Sequence, residues 1–246
     1  MKGNDLLDAI GNIWPYFTVA DASAWDTDPL VSSMIPSAWR PKSIMPSARS
    51  VIVIWVPVSP TILYTAPSIY YREHYRTLNT LLDITAQRIS TLLDAKGYDA
   101  AYVPRDGYDG IEGLKKDPSS FFSHRHAAYL SGLGTFGISN VILTKSHGPR
   151  VRFTSIITSA ELPAGKPMEE ELCIECMKCV NDCPASALSE EGYPDGMDKP
   201  LCVNRSEELA VRGISPCGVC IAVCPIGKKV PPPTDEFIDL VQKYER

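Results

Sequence analysis

All eight cysteines of the 246-residue chain lie in one stretch. It opens as Cys173-Ile-Glu-Cys176-Met-Lys-Cys179-Val-Asn-Asp-Cys183-Pro184. It continues to Cys202 and closes on Cys217-Gly-Val-Cys220-Ile-Ala-Val-Cys224-Pro225. Three thiolates at three-residue spacing can wrap one iron–sulfur cubane in a tight loop, with backbone N–H groups turned toward the sulfides. The next cysteine starts a helical turn and points toward a second cubane. Pro184 and Pro225 suit that first turn, where a missing N–H costs nothing. In the second half the first cysteine of the triple is displaced to Cys202. Eight thiolates still make two sets of four. Set one is Cys173, Cys176, Cys179 and Cys224. Set two is Cys183, Cys202, Cys217 and Cys220. The chemistry expected is electron transfer through two [4Fe–4S] clusters.

Two other uses of eight cysteines are weighed against this. Two four-cysteine zinc sites would not use a tight triple followed by Cys-Pro. Four disulfides would need an oxidising compartment, and no export signal is read at the N-terminus. Reduced thiols point to the cytoplasm. A net charge of −5 gives no general attraction to nucleic acid or to an anionic membrane. No run of about 18 apolar residues occurs, so no membrane span is expected.

The elements that must position the cysteines come before them. Leu6, Leu7, Ile10 and Ile13 have helical spacing, and Pro15 ends that helix. Residues 16–20 suit a short strand. Residues 21–46, punctuated by four prolines, read as an irregular covering segment. Residues 50–58 are almost continuously apolar and β-branched, as in a central strand buried on both faces. Residues 68–96 form the longest helix, with Leu78, Leu81, Leu82, Thr85, Ile89, Leu92 and Leu93 on one face and Gly97 as its stop. Residues 100–104 suit a strand, 105–117 a Gly- and Asp-rich loop, and 121–130 a helix. On that helix His124 and His126 are about 200° apart, so one is expected to face a pocket and the other the core or solvent. Residues 140–144 and 151–158 read as strands paired through the 145–149 turn. Residues 231–233 make a polyproline spacer, and 235–244 a last short helix.

Between these elements lies Ser131-Gly132-Leu133-Gly134-Thr135-Phe136-Gly137. Its glycines allow close backbone approach to a flat or phosphate-bearing ligand. They match Gly-x-Gly-x-x-Gly, but a helix precedes and a strand follows, the reverse of a dinucleotide-binding turn.

On these residues the chain resembles the epoxyqueuosine reductase group, which is related to the reductive dehalogenases. Three features carry the resemblance over roughly residues 48–228. They are the order of an α/β domain before a cluster module, the similarity of residues 131–137 to Ala-Gly-Leu-Gly-Trp-Ile-Gly, and the cysteine pattern with its displaced Cys202. The resemblance implies an α+β chain. A nitroreductase-like α/β domain (residues 1–165) would precede a bacterial ferredoxin-like module with two [4Fe–4S] clusters (166–230) and a tail helix (231–246). It also implies a cobalamin between the two domains, with Gly132, Gly134, Thr135, Phe136 and Gly137 near the corrin edge. Tyr75, His126, Tyr129 and Asp117 are then the candidate catalytic proton donors. FMN in the first domain, or an electron carrier with no substrate of its own, are the alternatives. The expected partners are an electron donor such as a ferredoxin or flavodoxin and a small-molecule substrate.

The chain also departs from the group. Thr135 replaces its Trp and Ile138 its Lys. Pro118 falls where the epoxide-reducing members have Asp, one residue from Asp117. Of their Asp-Tyr-His near the long helix only Tyr75 is kept. Longer members continue into a helical-repeat domain that helps bind tRNA. This chain ends at Arg246, so tRNA is not expected as a partner.

Overall fold

The computed structural model describes residues 3–104, 110–117 and 120–243. The first elements are α1 (Gly3–Ile13), β1 (Phe17–Asp21), α2 (Ala24–Thr27), α3 (Pro29–Met34), α4 (Pro41–Ile44), β2 (Ser50–Pro57) and α5 (Pro60–Leu63). The long α6 (Ile69–Asp94) follows, then β3 (Ala100–Val103), α7 (Gly110–Lys116), α8 (His124–Leu130), β4 (Thr135–Phe136), β5 (Ile142–Leu143) and β6 (Val151–Thr158). The cysteine region contributes α9 (Lys178–Asn181), α10 (Lys199–Val211) and α11 (Val219–Ala222), and α12 (Asp235–Lys243) closes the described residues.

The main sheet has the order β1-β2-β6-β3, and each neighbouring pair is antiparallel. Alternation along β2 explains why both faces are covered. Ile52 and Ile54 join Leu6, Ile10, Leu82, Ile89 and Leu93 under α1 and α6. Val51 and Val53 point the other way, to Trp25, Val31, Ala127 and Leu130. The result is a sheet sandwiched between helical layers, a mixed α/β architecture.

The long helix starts where Ser68 Oγ accepts from the Tyr71 N–H at 2.9 Å. It stops ahead of Gly97, whose φ of +83° suits glycine. Three expectations need correction. The 21–46 segment is largely helical: α2, α3, a 3-10 turn at Ser37–Trp39 and α4 fill it. Pro29 and Pro41 open helices there, and Asp28 caps α3 by accepting from the Val31 N–H at 3.0 Å. The 105–117 loop contains α7, held to α10 by Lys115–Glu207 at 2.8 Å; residues 105–109 and Pro118 lie outside the described residues. Finally, β5 pairs with β4, while β6 pairs with β2 and β3. The 145–149 turn closes on itself, because Thr144 and Gly148 exchange both backbone hydrogen bonds. No hairpin from β5 to β6 forms.

Candidate functional site

All eight cysteines are free thiols. Cys176 is exposed and the others are half-buried. Tight backbone turns bring them together. Glu175 (φ 51°) and Met177 (φ 57°) are left-handed between the first three cysteines. Gly218 (φ 74°) is left-handed between Cys217 and Cys220, and a Cβ there would strike the Tyr71 ring at 2.5 Å. The thiols raise one another's pKa. Cys179 is pushed up by burial, then by Cys173, Cys224 and Cys176. Burial raises Cys224, with Cys176 and Cys173 adding to it. Cys202 is raised by burial, then by Cys217 and Cys183. Cys220 is pushed up to about 12 by burial, then by Cys217, Cys202 and Cys183, and last by Cys179. The neighbourhoods therefore fall into sets one and two, which approach each other at Cys179 and Cys220. Among the described residues, no three His, Cys, Asp or Glu side chains gather tightly enough for a single metal ion. A tetrahedral zinc would draw its sulfurs to about 3.8 Å from one another. Two looser groups of four suit the larger cubane, whose bonding takes up charge that crowded bare thiolates could not hold.

The N-terminal layers hold this region in place. Arg150 is buried and donates to the carbonyls of Cys224 (2.9 Å), Ile226 (2.5 Å) and Lys228 (3.2 Å). Thr135 Oγ1 accepts from the Leu172 N–H at 3.1 Å, just before Cys173. Arg72 donates to the Gly213 carbonyl at 2.6 Å. Arg150→Ala removes three charge-assisted bonds from a buried guanidinium and leaves partly buried carbonyls unpaired. It is expected to destabilise the protein by roughly 3 kcal/mol or more. Chelator challenge should then strip iron from set one faster than from set two; equal loss rates would show that Arg150 is not a local clamp.

Two adjoining cavities lie between the layers and the cysteine region. The first, about 440 Å³, is lined by all four thiols of set two together with Tyr71, Tyr75, Arg125 and Arg152. The second, about 420 Å³, is lined by Trp39, Phe122, His124, His126, Phe153 and Tyr193, among others. Arg125, Asn140, Val141, Arg152, Lys199 and Ile221 line both. Set one borders a different, smaller pocket, walled partly by Gly137, Ile138 and Ser139.

The candidate proton donors are not gathered at one point. Tyr75 lines the first cavity beneath the Arg152 guanidinium, 4.2 Å from its ring centroid. His126 lines the second. Its Nδ1 lies 2.6 Å from Ser123 Oγ and its Nε2 lies 2.5 Å from the Tyr193 hydroxyl. Burial raises Tyr193 to about 12, so the phenol keeps its proton and donates to Nε2; Nδ1–H then donates to Ser123. His124 also lines this cavity, with ring nitrogens 2.9 Å from Ser155 Oγ and 3.1 Å from the Pro104 carbonyl. Both histidines thus reach the cavity, where only one was expected to. Tyr129 lines neither cavity and packs against Phe136, with ring centroids 5.8 Å apart. Asp117 is exposed beyond the end of α7 and also lines neither.

Burial, and then Arg125, lower the His126 pKa to about 3. Because the folded pKa lies below the unfolded value, the unfolded chain takes up the proton first. Stability from this group is complete above pH 6.5 and declines as pH falls toward 3. The loss is about 2 kcal/mol by pH 5. The wild type is therefore expected to lose thermal stability relative to His126→Gln between pH 7 and 5; parallel melting curves would contradict this.

The glycine stretch answers mainly to the chain's own packing. A Cβ on Gly134 would overlap the Leu143 carbonyl oxygen, and one on Gly132 the Lys166 carbonyl. Gly137 abuts the Leu143 side chain and borders the set-one pocket. Thr135 is fully buried, and Phe136 stacks on Tyr193 at 3.6 Å. Sequence reasoning missed Arg125, Asn140, Arg152 and Tyr193. Arg125 stood beside two histidines that drew the attention, and Tyr193 sits in the spacer between cysteine runs, where no periodicity marks it.

No protein-family model matches the chain. It is 28% identical over 193 residues to a tetrachloroethene reductive dehalogenase of Dehalobacter restrictus, covering 72% of this chain and 32% of that protein. It is 26% identical over 209 residues to an epoxyqueuosine reductase of Bacillus cereus, covering 77% of this chain and 51% of the relative. The chain therefore spans about a third to a half of these relatives. Among solved structures, an epoxyqueuosine reductase with an epoxyqueuosine-modified tRNA stem loop superposes with a TM-score of 0.59. It has 18% identity and covers 90% of this chain and 64% of that one. A reductive dehalogenase described for B12-dependent dehalogenation gives 0.64 at 16% identity, covering 97% and 34%. The structural likeness establishes a shared fold. The sequence matches relate the chain to epoxyqueuosine reductases and reductive dehalogenases over about 72% of its length. The expectation against tRNA is corrected by the tRNA-bound neighbour, whose fold covers nine-tenths of this chain.

Proposed function

We propose that this chain is an iron–sulfur oxidoreductase. Its eight cysteines hold two [4Fe–4S] clusters, and the paired cavities take a cobalamin and a substrate. In this reading the layered sheet is the nitroreductase-like part, residues 166–230 are the ferredoxin-like module, and the protein works in the cytoplasm. When bound, the clusters supply single electrons, and cobalamin supplies a reduced cobalt centre for reductive cleavage of a substrate bond.

The observation that carries the reading is one shared wall. The four thiols of set two line the same cavity as Tyr75, Arg125 and Arg152. A cluster on these four thiols would fill the cysteine side of that cavity, and a group seated against Tyr75, Arg125 and Arg152 would border it directly. The residues present fit such a group, because Asn140 Nδ2 and Arg205 Nε are buried without partners in residues that line this cavity. Tyr75 holds a phenolic proton at the first cavity. Tyr193 and His126 hold another at the second, in a chain that ends at Ser123. Arg152 keeps positive charge over the Tyr75 ring, 4.2 Å from its centroid.

The tRNA-bound neighbour favours a second reading, in which the substrate is a modified nucleoside within tRNA. A flavin in place of the corrin is the alternative cofactor. Reconstitution of the full chain with iron and sulfide under anaerobic conditions, followed by hydroxocobalamin or FMN and desalting, tests the cofactor. Retained corrin bands support the proposal; retained flavin bands or cluster absorption alone overturn its cobalamin part.

A further inference from the structure

The charge around the two cavities is one-sided. Arg125, Arg152 and Lys199 line both, Arg205 lines the first, and no Asp or Glu among the described residues lines either. The whole chain carries −5, so this is a local arrangement and not a reflection of composition. Two of the cations are engaged elsewhere. Arg152 Nε donates to Asn79 Oδ1 at 3.1 Å, and Arg205 pairs with Glu208 at 2.9 Å.

Arg125 is different. Its hydrogen bond runs to the Asn140 carbonyl at 2.5 Å, and no carboxylate among the described residues pairs with it. Protein surrounds it, and burial pulls its pKa down, yet it stays partly accessible because it opens into the cavities. A guanidinium enclosed without a counter-ion is costly. Asn140 Nδ2, in a residue that lines both cavities, is buried without an acceptor. Guanidinium nitrogens only donate. A partner for Arg125 in the second cavity, away from the set-two thiols, would therefore bring acceptors and negative charge. Trp39, Phe122, Ile142 and Phe153 offer it an apolar wall in the second cavity, which has no cysteine in its lining.

We propose that the second cavity binds an organic oxyanion, a carboxylate or a phosphate monoester on an apolar body, with Arg125 as its counter-ion. Paired oxygens meet the planar guanidinium fork, and the apolar body lies against Trp39 and Phe153. That the anion is a substrate rests on the oxidoreductase reading; that it binds does not.

Calorimetric titration of the reconstituted full chain with benzoate, phenyl phosphate and uncharged benzyl alcohol tests this. One of the two anions is expected to bind at least about tenfold more tightly than the alcohol. Arg125→Met should abolish that preference while iron content and cluster EPR stay unchanged. Should Arg125→Met not fold, Arg125→Lys, which keeps the charge and loses the fork, should weaken the anion severalfold. Equal binding of alcohol and both anions, or an undiminished preference in a folded Arg125 variant, overturns the proposal. Corrin retention on the same sample separates the two ideas. Anion binding without corrin counts against the cofactor alone, and corrin without anion binding counts against this site alone.

Discussion

Cys202→Ser is expected to remove about half of the bound iron, and the iron lost should be that of set two. Cys202 lies on α10, well apart in sequence from the other seven cysteines, yet its thiol feels Cys217 and Cys183. The α10 helix is fixed for this purpose. Asp198 caps it by accepting from the Leu201 N–H at 2.9 Å, Pro200 sits in its first turn, and Leu209 is fully buried near its end. A cubane with three thiolates and a weaker hydroxyl ligand is readily lost. Cys183→Ser and Cys220→Ser should lose the same EPR signal as Cys202→Ser, while Cys176→Ser should lose the other. Unchanged iron in Cys202→Ser, or different signals lost in the three set-two variants, would refute the grouping.

Gly134→Val is expected to destabilise the whole fold, by roughly 3 kcal/mol or more, rather than to block a ligand. A side chain at this position meets the Leu143 carbonyl, which belongs to the paired strand β5. That backbone cannot swing aside without breaking the β4–β5 pairing. Gly137 follows in the same hairpin and borders the set-one pocket. Thermal stability, iron content and cofactor uptake should therefore fall together. A variant that melts normally and keeps its iron but takes up no corrin would return the glycine to a ligand-facing role.

Much of the fold was legible because it rests on local patterns. The β-branched run of β2 announced a doubly buried strand, and the Leu and Ile spacing of α6 announced its buried face. The cysteine spacing supports the proposal of clusters, because thiolate geometry on a short loop leaves few alternatives. The cavity lining was not legible. Arg125 and Arg152 belong to elements whose periodicity reports only which face is apolar, and neither sits in a recognisable motif. Asn140 adopts a left-handed φ of 60° between β4 and β5, and the neighbouring glycines masked it. The glycines themselves were misleading for a physical reason. Close approach by a ligand and close approach by the chain's own backbone demand the same residue. Proline was misread in the 21–46 segment, since it starts helices as readily as it breaks them.

The most direct test of the account is an EPR measurement on the anaerobically reconstituted chain carrying cobalamin, with the clusters reduced. In the proposed reading set two and the cofactor lie side by side in one cavity. That arrangement predicts a cobalt signal broadened or split by the reduced set-two cluster, and sharpened again in Cys202→Ser. A cobalt signal that is the same in wild type and Cys202→Ser would mean that the cofactor does not sit beside set two, and the shared-cavity reading would fail.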